Sequence, residues 1–382
     1  MEHYLDNSAT TKVCREAAEV AIHAMTEVYG NPSSTHTKGR EAKKLLDAAR
    51  AQTAAALGCK PGELVYTSCG SESDNWALLG GAEAMSRRGK HIISSAVEHD
   101  AVRRSLEELM RRGYEVTMLK PDSTGRIPAE AVAGALRDDT ILVSLMLVNN
   151  ETGAITDIPG VSKALKAAGS AALLHTDAVQ GFLKVPFQAK TLGADMISIS
   201  GHKIHAPKGI GALYIRKSMK PAAKLLPYIM GGHQENEMRA GTENLPQIAA
   251  FGVAAELGRK EQKHAAEHME QLRAHIVERL QQELPGVVFI GGGAPHVLSL
   301  SLPGYRSEVL MNFLDRNGIC VSRSSACKQG RRSHVLEAMG LSPKVIDGAI
   351  RVSFSRYTTM EEADALCDAL KEAKESLFPV LG

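Results

Sequence analysis

The chain has 382 residues, of which 44% are hydrophobic and 23% are charged, and this composition excludes an intrinsically disordered protein. A formal net charge of +2 and an aromatic content of 4% argue against broad binding to nucleic acid or to an anionic membrane surface. The chain is longer than the length that one ordinary compact core serves, so we expect two domains.

The cysteines and the N-terminus indicate which cellular compartment and which kinds of metal site to expect. The six cysteines include no CxxC pair, which argues against a disulfide framework, a zinc ribbon or any other resident metal site. Residues 1–12 have no basic start followed by an apolar core, so we expect no secretory signal. The longest strongly apolar run, residues 141–148, is far shorter than the roughly 20 residues of a membrane span. We therefore expect a cytoplasmic protein with reduced thiols.

The first 215 residues alternate helical patterns with short apolar runs. Helices are predicted at residues 15–29, 39–57, 72–87 and 101–112. Strands are predicted at residues 63–68, 91–95, 115–119, 141–148, 172–176, 196–200 and 211–215. Short apolar strands that alternate with helices indicate a largely parallel sheet covered on both faces. In such a sheet, polar residues just beyond the strand ends face the ligand crevice.

The pattern changes near Pro246. Residues 247–284 form one long helical stretch, which we interpret as a connector between domains. The elements predicted after it are strands at 287–289, 297–302 and 350–354 and helices at 307–316 and 360–377. This second unit is predicted to be a smaller α+β domain.

Two polar clusters at predicted strand ends contain a lysine and a carboxylate. Lys203 lies in a short Ser/Gly/His loop, where desolvation would lower the pKa of its amine and make it usable for a Schiff base. A solvated loop lysine is the alternative. Asp177 could hold a protonated heterocyclic nitrogen, as pyridoxal phosphate requires, or cap a helix. Gln180 could donate to a ring oxygen or close a capping box.

Three further polar clusters follow predicted strands. The segment TSCGSESDN places Ser71 at a helix start, where free N–H groups make either an anion site or an ordinary helix cap. His99 could stack on an aromatic cofactor and move protons, or be a plain loop histidine. Asn150 could hydrogen-bond a cofactor substituent or form a turn.

The smaller unit supplies a thiol and a cation. Cys327 lies in a polar segment that should form a mobile surface loop, and its basic neighbours should lower the pKa of the thiol. These neighbours are Arg323, Lys328, Arg331 and Arg332. An incidental exposed cysteine is the alternative. Arg351 lies on an apolar strand and should pair with a carboxylate, either of the protein or of a substrate.

Taken in order, these clusters resemble the cysteine desulfurases, a group of pyridoxal-phosphate enzymes. The matching segments are NSATT, GNPSSTH, TSCGSESDN, EH, VNNETG, HTDAVQ, SGHKI-APKGIGALY, RAGTEN, SSAC and IRVSFSRYTT. The SSAC segment resembles the branch that includes iron–sulfur and nitrogenase-associated enzymes. The resemblance implies an α/β fold of the fold-type-I class of pyridoxal-phosphate-dependent transferases. The large domain, residues 15–255, would carry a mostly parallel seven-stranded sheet, and residues 1–14 and 256–382 would form the small domain.

The resemblance also implies a role for each candidate residue. Lys203 would bond to the cofactor and later move protons, His99 would stack on its ring, and Cys327 would attack the substrate sulfur. Asp177 would pair with the pyridine nitrogen and Gln180 with the phenolic oxygen. The residues expected around the cofactor phosphate are Gly70, Ser71, Ser200, His202 and, from the partner subunit of a homodimer, Thr242. The residues expected to hold the substrate carboxylate are Asn150 and Arg351, and Asn150 would also contact the cofactor.

The implied reaction converts L-cysteine to L-alanine and passes the sulfur, as a persulfide on Cys327, to an acceptor protein. An iron–sulfur scaffold or a transfer-RNA thiolation enzyme is the expected kind of acceptor. A selenocysteine lyase or a small-molecule aminotransferase on the same scaffold is the nearest alternative, and an interaction protein with a basic docking loop is another. The chain departs from the family at Arg323 and Ser324, which replace smaller residues, and at Cys69, which we expect to pack rather than react.

Overall fold

The structure is a computed structural model that describes residues 2–217, 225–323 and 332–379. Its strands are β1 (His3–Tyr4), β2 (Leu64–Thr67), β3 (His91–Ser95), β4 (Glu115–Leu119), β5 (Thr140–Ser144), β6 (Leu173–Asp177), β7 (Met196–Ser200), β8 (Gly211–Ile215), β9 (Val288–Ile290), β10 (Val297–Ser301), β11 (Ile319–Cys320), β12 (Ser322–Arg323) and β13 (Ala349–Ser353). Its α-helices are α1 (Arg15–Thr26), α2 (Thr37–Leu57), α3 (Gly70–Asn75), α4 (Gly81–Ala84), α5 (Asp100–Arg111), α6 (Ala129–Ala135), α7 (Ile158–Ala167), α8 (Ala189–Leu192), α9 (Leu245–Glu283), α10 (Ser307–Arg316), α11 (His334–Ala338), α12 (Pro343–Asp347) and α13 (Met360–Ser376).

Seven strands form the large sheet, in the order β2-β8-β7-β6-β5-β3-β4. Strand β8 runs antiparallel to both of its neighbours, and the other adjacent pairs are parallel. Neighbouring residues of β3 contribute to different apolar clusters: Ile93 belongs to one and Ile92 to another. The sheet is therefore buried on both faces, as short, fully apolar strands predict. The predicted α/β fold with a mostly parallel sheet is confirmed.

Several predicted elements differ in extent from the structure, among them the strand at 141–148 and the helix at 72–87. The apolar run 141–148 does not stay in the sheet, because β5 ends at Ser144 and the rest of the run is buried outside regular strand geometry. Leu147 N still donates to the carbonyl of Asp177, at 2.9 Å. The predicted helix 72–87 begins earlier, at Gly70, and a π-helical turn over Trp76–Gly80 interrupts it.

The C-terminal part carries a second sheet and its own apolar cluster. Strands β12, β13, β10 and β9 form an antiparallel sheet in that order. The long helix α9 links the two regions: Phe251 packs in the large core and Ile276 in the second one. The N-terminal segment joins this region, since β1 pairs with β11 and Asp6 bridges to Ser353. The assignment of residues 1–14 to a small domain stays a prediction.

None of the helices in the described segments combines the length and the hydropathy that a membrane-spanning helix needs.

Candidate active site

A cavity of about 410 Å³ opens at the carboxyl ends of the central parallel strands. The strand-end side chains that line it are His99, Asn150, Asp177, Ser200 and Lys203. Gly70 and Ser71 close it from α3, and Arg351 reaches it from β13. The volume lies within the range of small-molecule sites. The fold thus brings together residues that are almost 300 positions apart in the chain.

Lys203 ends a short 3₁₀ turn, Gly201–Lys203, that follows β7 directly. Its ammonium donates to the carbonyls of Ser8 and Ala9, at 2.6 and 2.8 Å. Burial, reinforced by the charge of Arg351, lowers the pKa of Lys203 from 10.5 to about 8. An appreciable fraction of this amine is therefore unprotonated near neutral pH, and only the unprotonated form is a nucleophile.

Asp177 is the last residue of β6 and is 5% exposed. Its Oδ1 accepts from the backbone N–H of Val179, at 2.9 Å. Burial raises the pKa of Asp177, and the positive charges of His99 and Lys203 act against that rise. The charge of Lys203 and the N–H of Val179 favour the charged carboxylate, which can pair with a positively charged group in the cavity.

A buried polar layer that the sequence did not predict lies behind Asp177. The ring of His175 contacts the hydroxyls of Ser144 and Ser198, at 2.9 and 3.0 Å. Its Nε2 lies 3.6 Å from Asp74 Oδ1. Burial lowers the pKa of His175 to about 3, so the ring is neutral.

Asp74 places a second carboxyl group at the cavity wall beside Asp177. Burial and the negative charge of Asp177 raise the pKa of Asp74 well above its usual range. Two carboxylates in one buried site cannot both ionise, so Asp74 holds the proton and Asp177 carries the charge. Asp74 lies in the motif TSCGSESDN and His175 in the motif HTDAVQ, but neither motif shows that the two side chains meet.

The turn from β2 into α3 offers an anion-binding corner. A Cβ added to Gly70 would lie 2.7 Å from Val179 Cγ2, so glycine allows the turn to approach β6 closely. The hydroxyl of Ser200 is buried there and has no hydrogen-bond partner among the described residues. Burial and the charge of Lys203 lower the pKa of His202 to about 4. Free N–H groups of a helix start and an unpaired hydroxyl together suit a phosphate.

Arg351 lies on the opposite side of the cavity and is 5% exposed. One guanidinium nitrogen donates to the carbonyl of Asn150 at 3.0 Å, and the other forms an ion pair with Asp6 at 2.8 Å. The predicted carboxylate partner is therefore present in the protein itself. The Nε of Arg351 is buried without a partner in the described chain, which leaves one donor for a second acceptor.

Two further buried groups lie at or next to the cavity: Gln180 lines it, and Glu98 contacts the lining residue Met146. Gln180 donates from Nε2 to the carbonyl of Ser8 at 2.9 Å. Glu98 Oε1 accepts from the hydroxyl of Ser95 at 2.5 Å and from the N–H of Met146 at 3.1 Å. Burial raises the pKa of Glu98 to about 8, so this carboxyl group is protonated at neutral pH. The sequence motif EH contains Glu98 but does not distinguish a buried acid from a surface one.

Of the remaining candidate positions, only Cys69 is seen to line the cavity in the part of the chain that the structure describes. Thr242 is exposed and does not line the cavity of its own chain. Cys327 and its neighbour Lys328 lie outside the described residues. Cys69 does line the cavity, with its sulfur 3.7 Å from the hydroxyl of Ser68. In the ranges that the structure describes, no group of three or more His, Cys, Asp or Glu side chains is arranged to hold a metal ion.

The chain is similar over almost its whole length to proteins of known family. The sequence profile of the aminotransferase class-V family matches residues 3–366. The cysteine desulfurase of Nostoc sp. (strain PCC 7120) is 41% identical over 379 residues, which cover 98% of this chain and 93% of that protein. The structure of a NifS-like protein superimposes with a TM-score of 0.92 at 38% identity, covering 99% of this chain and all of the other. The structure of SspA in complex with cysteine superimposes with a TM-score of 0.81 at 30% identity, covering 94% of this chain and 100% of the other. Because profile, sequence and structure agree over nearly every described element, this chain belongs to the aminotransferase class-V family and, within it, to the cysteine desulfurases.

Proposed function

We propose that this chain is a pyridoxal-phosphate-dependent enzyme that converts L-cysteine to L-alanine and delivers the sulfur to an acceptor protein. The observation that carries the proposal is the buried Lys203 amine, with its lowered pKa, in one cavity with Asp177 and Arg351. The cysteine that occupies the related SspA structure supports the choice of substrate.

The cavity residues fit pyridoxal phosphate. The unpaired hydroxyl of Ser200 and the helix start at Gly70 and Ser71 suit its phosphate. Asp177, charged and buried, suits a protonated ring nitrogen, and His99, which is exposed and lines the cavity, suits stacking on the ring. When bound, pyridoxal phosphate supplies an aldehyde that bonds to amines and a ring that accepts electrons from the substrate Cα.

Lys203, Asp177 and Asp74 determine where protons are held and moved during the reaction. The unprotonated Nζ of Lys203 takes the proton from the substrate Cα, and its ammonium is then held by the carbonyls of Ser8 and Ala9. Asp177 keeps a proton on the ring nitrogen. Asp74, neutral beside it, prevents a second negative charge from building up in the buried site.

Arg351 and Asn150 orient the substrate. The Nε of Arg351, which has no partner among the described residues, donates to the substrate carboxylate. The ion pair with Asp6 and the contact with the Asn150 carbonyl fix the guanidinium plane before the substrate arrives. This preorganisation reduces the entropy lost on binding.

Cys327 carries the sulfur. Its thiolate attacks the substrate sulfur, the S–S bond of a persulfide forms, and the C–S bond breaks with its electron pair remaining on the carbon fragment that becomes alanine. The support is the sequence around Cys327, where basic residues favour a thiolate. An iron–sulfur scaffold or another sulfur-accepting protein receives the sulfur.

A homodimer in the cytoplasm completes the proposal. The exposed position of Thr242, away from the cavity of its own chain, supports a role at the phosphate of a second subunit.

The experiment measures alanine and protein-bound persulfide formed from L-cysteine, together with the visible absorbance of the loaded enzyme. Lys203→Ala should lose both the absorbance and alanine formation. Cys327→Ser should keep the absorbance and lose persulfide transfer, while Cys59→Ser, a matched control on a cysteine far from the cavity, should behave as wild type. Full activity of Cys327→Ala with an amino acid and a keto acid would instead identify an aminotransferase.

A further inference from the structure

A second, smaller cavity lies beside α9, away from the candidate active site. It has a volume of about 20 Å³, and its polar lining consists of Lys184, His205 and Arg356 among apolar residues. A water-sized particle needs about 10–15 Å³ of such space. The cavity therefore admits one small particle and excludes phosphate or an organic carboxylate.

The polar lining of this cavity is buried and incompletely paired. Lys184 is 6% exposed. The Nδ1–H of His205 donates to the carbonyl of Lys12 at 2.9 Å, and its buried Nε2 has no hydrogen-bond partner among the described residues. The Nη2 of Arg356 is likewise buried without a partner in the part of the chain that the structure describes. Buried polar groups in folded proteins are nearly always hydrogen-bonded, so these atoms indicate a missing ligand.

The charge of this cluster is unbalanced. The side chain of Glu261, 52% exposed at the rim, lies 3.3 Å from Nε of Arg356. No second carboxylate pairs with the cluster within the described ranges, and His296, buried with both ring nitrogens unpartnered, lies within electrostatic reach of Lys184. Burial and the charges of Arg356 and Lys203 lower the pKa of Lys184 to about 7. The ammonium of Lys184 has no ion pair with a carboxylate among the described residues, and a bound anion offsets the cost of burying its charge.

We propose that this cavity binds a single monatomic anion of the size of chloride, held between the Lys184 ammonium and the Arg356 guanidinium beside His205. The volume selects against polyatomic anions, and the two cations select against a neutral or positive ligand. The site connects three parts of the fold: Lys184 lies after β6, Arg356 follows β13, and α9 forms the apolar wall through Gly258 and Met269. The anion therefore joins the large sheet to the C-terminal region.

The site also acts on the candidate active site through charge. His205 follows Lys203 by two residues, and the charge of Lys203 acts on Lys184. A negative charge in the cavity favours the protonated form of each of these amines.

The test measures the melting temperature of the full-length enzyme, loaded with pyridoxal phosphate, while sodium chloride replaces sodium gluconate at constant ionic strength. For the wild type we expect a saturable rise, because chloride at ten times its Kd increases the ratio of folded to unfolded protein roughly tenfold. Lys184→Met should be insensitive to chloride. The matched control Lys190→Met removes an exposed lysine and should respond as wild type.

A second measurement needs no variant. Crystals of the wild type soaked in bromide should show an anomalous peak in contact with Lys184 Nζ and Arg356 Nη2. An equal chloride response of the wild type and Lys184→Met would overturn the proposal. So would a bromide-soaked crystal without that peak, which would mean that water fills the cavity.

Discussion

The buried acid Glu98 makes a quantitative prediction about stability and pH. Burial raises the pKa of Glu98 from 4.5 to about 8, so the folded protein holds a proton that the unfolded chain has lost at neutral pH. The native state binds more protons than the unfolded state in this window, and the free energy of unfolding therefore falls as pH rises from 4.5 to 8. Glu98→Gln removes the titrating group and should therefore remove this fall in the free energy of unfolding.

The magnitude follows from linkage. Each pH unit between the two pKa values costs the wild type about 1.4 kcal/mol, which amounts to about 3 kcal/mol at pH 7. Glutamine keeps the oxygen that accepts from Ser95 and Met146. Its amide places N–H donors where Oε2 has no partner among the described residues, at a cost of about 1–2 kcal/mol. At pH 7 the variant should be more stable than the wild type by about 1–2 kcal/mol.

Urea unfolding of the wild type and Glu98→Gln at pH 5, 6, 7 and 8 tests this. The difference in the free energy of unfolding should move in favour of the variant by about 1.4 kcal/mol per pH unit. Glu130→Gln, at an exposed site in α6, is the control and should show no such slope. A difference between Glu98→Gln and wild type that stays constant over this range would refute a buried, protonated Glu98.

Three further predictions address the amine, the cation and a helix cap. Because the pKa of Lys203 is about 8, the rate at which cofactor-free protein combines with pyridoxal phosphate, followed by visible absorbance, should rise about tenfold per pH unit below 8 and level above it. Arg351→Lys replaces the planar guanidinium that contacts both Asp6 and Asn150, so the KM for L-cysteine should rise about tenfold or more. An unchanged KM would show that Arg351 does not bind the substrate. Thr359→Ala removes the capping box at the start of α13 and should cost about 1 kcal/mol in urea unfolding, whereas Thr191→Ala, on the surface, should cost less.

Local patterns in the sequence were sufficient to predict the large sheet and the edge of it at which ligand-binding side chains lie. Short apolar runs predicted a buried parallel sheet because a strand covered on both faces has no polar face to show. Lys203, Asp177 and Asn150 could be grouped in advance because the carboxyl ends of parallel strands meet at one edge. The run 141–148 was predicted too long, since apolar composition marks burial and does not mark where strand pairing stops.

Contacts between distant segments were decided only by the tertiary structure. The pairing of Arg351 with Asp6 joins positions at opposite ends of the chain, and composition around either residue does not predict the other. The proton that Asp74 holds beside Asp177 depends on the burial of both carboxyl groups, and the unpaired cluster at Lys184 depends on burial in the same way. The sequence alone determined which side chains lie at strand ends, because periodicity is local. It left undetermined which charges are buried together, because pKa values depend on neighbours that the chain reaches only on folding.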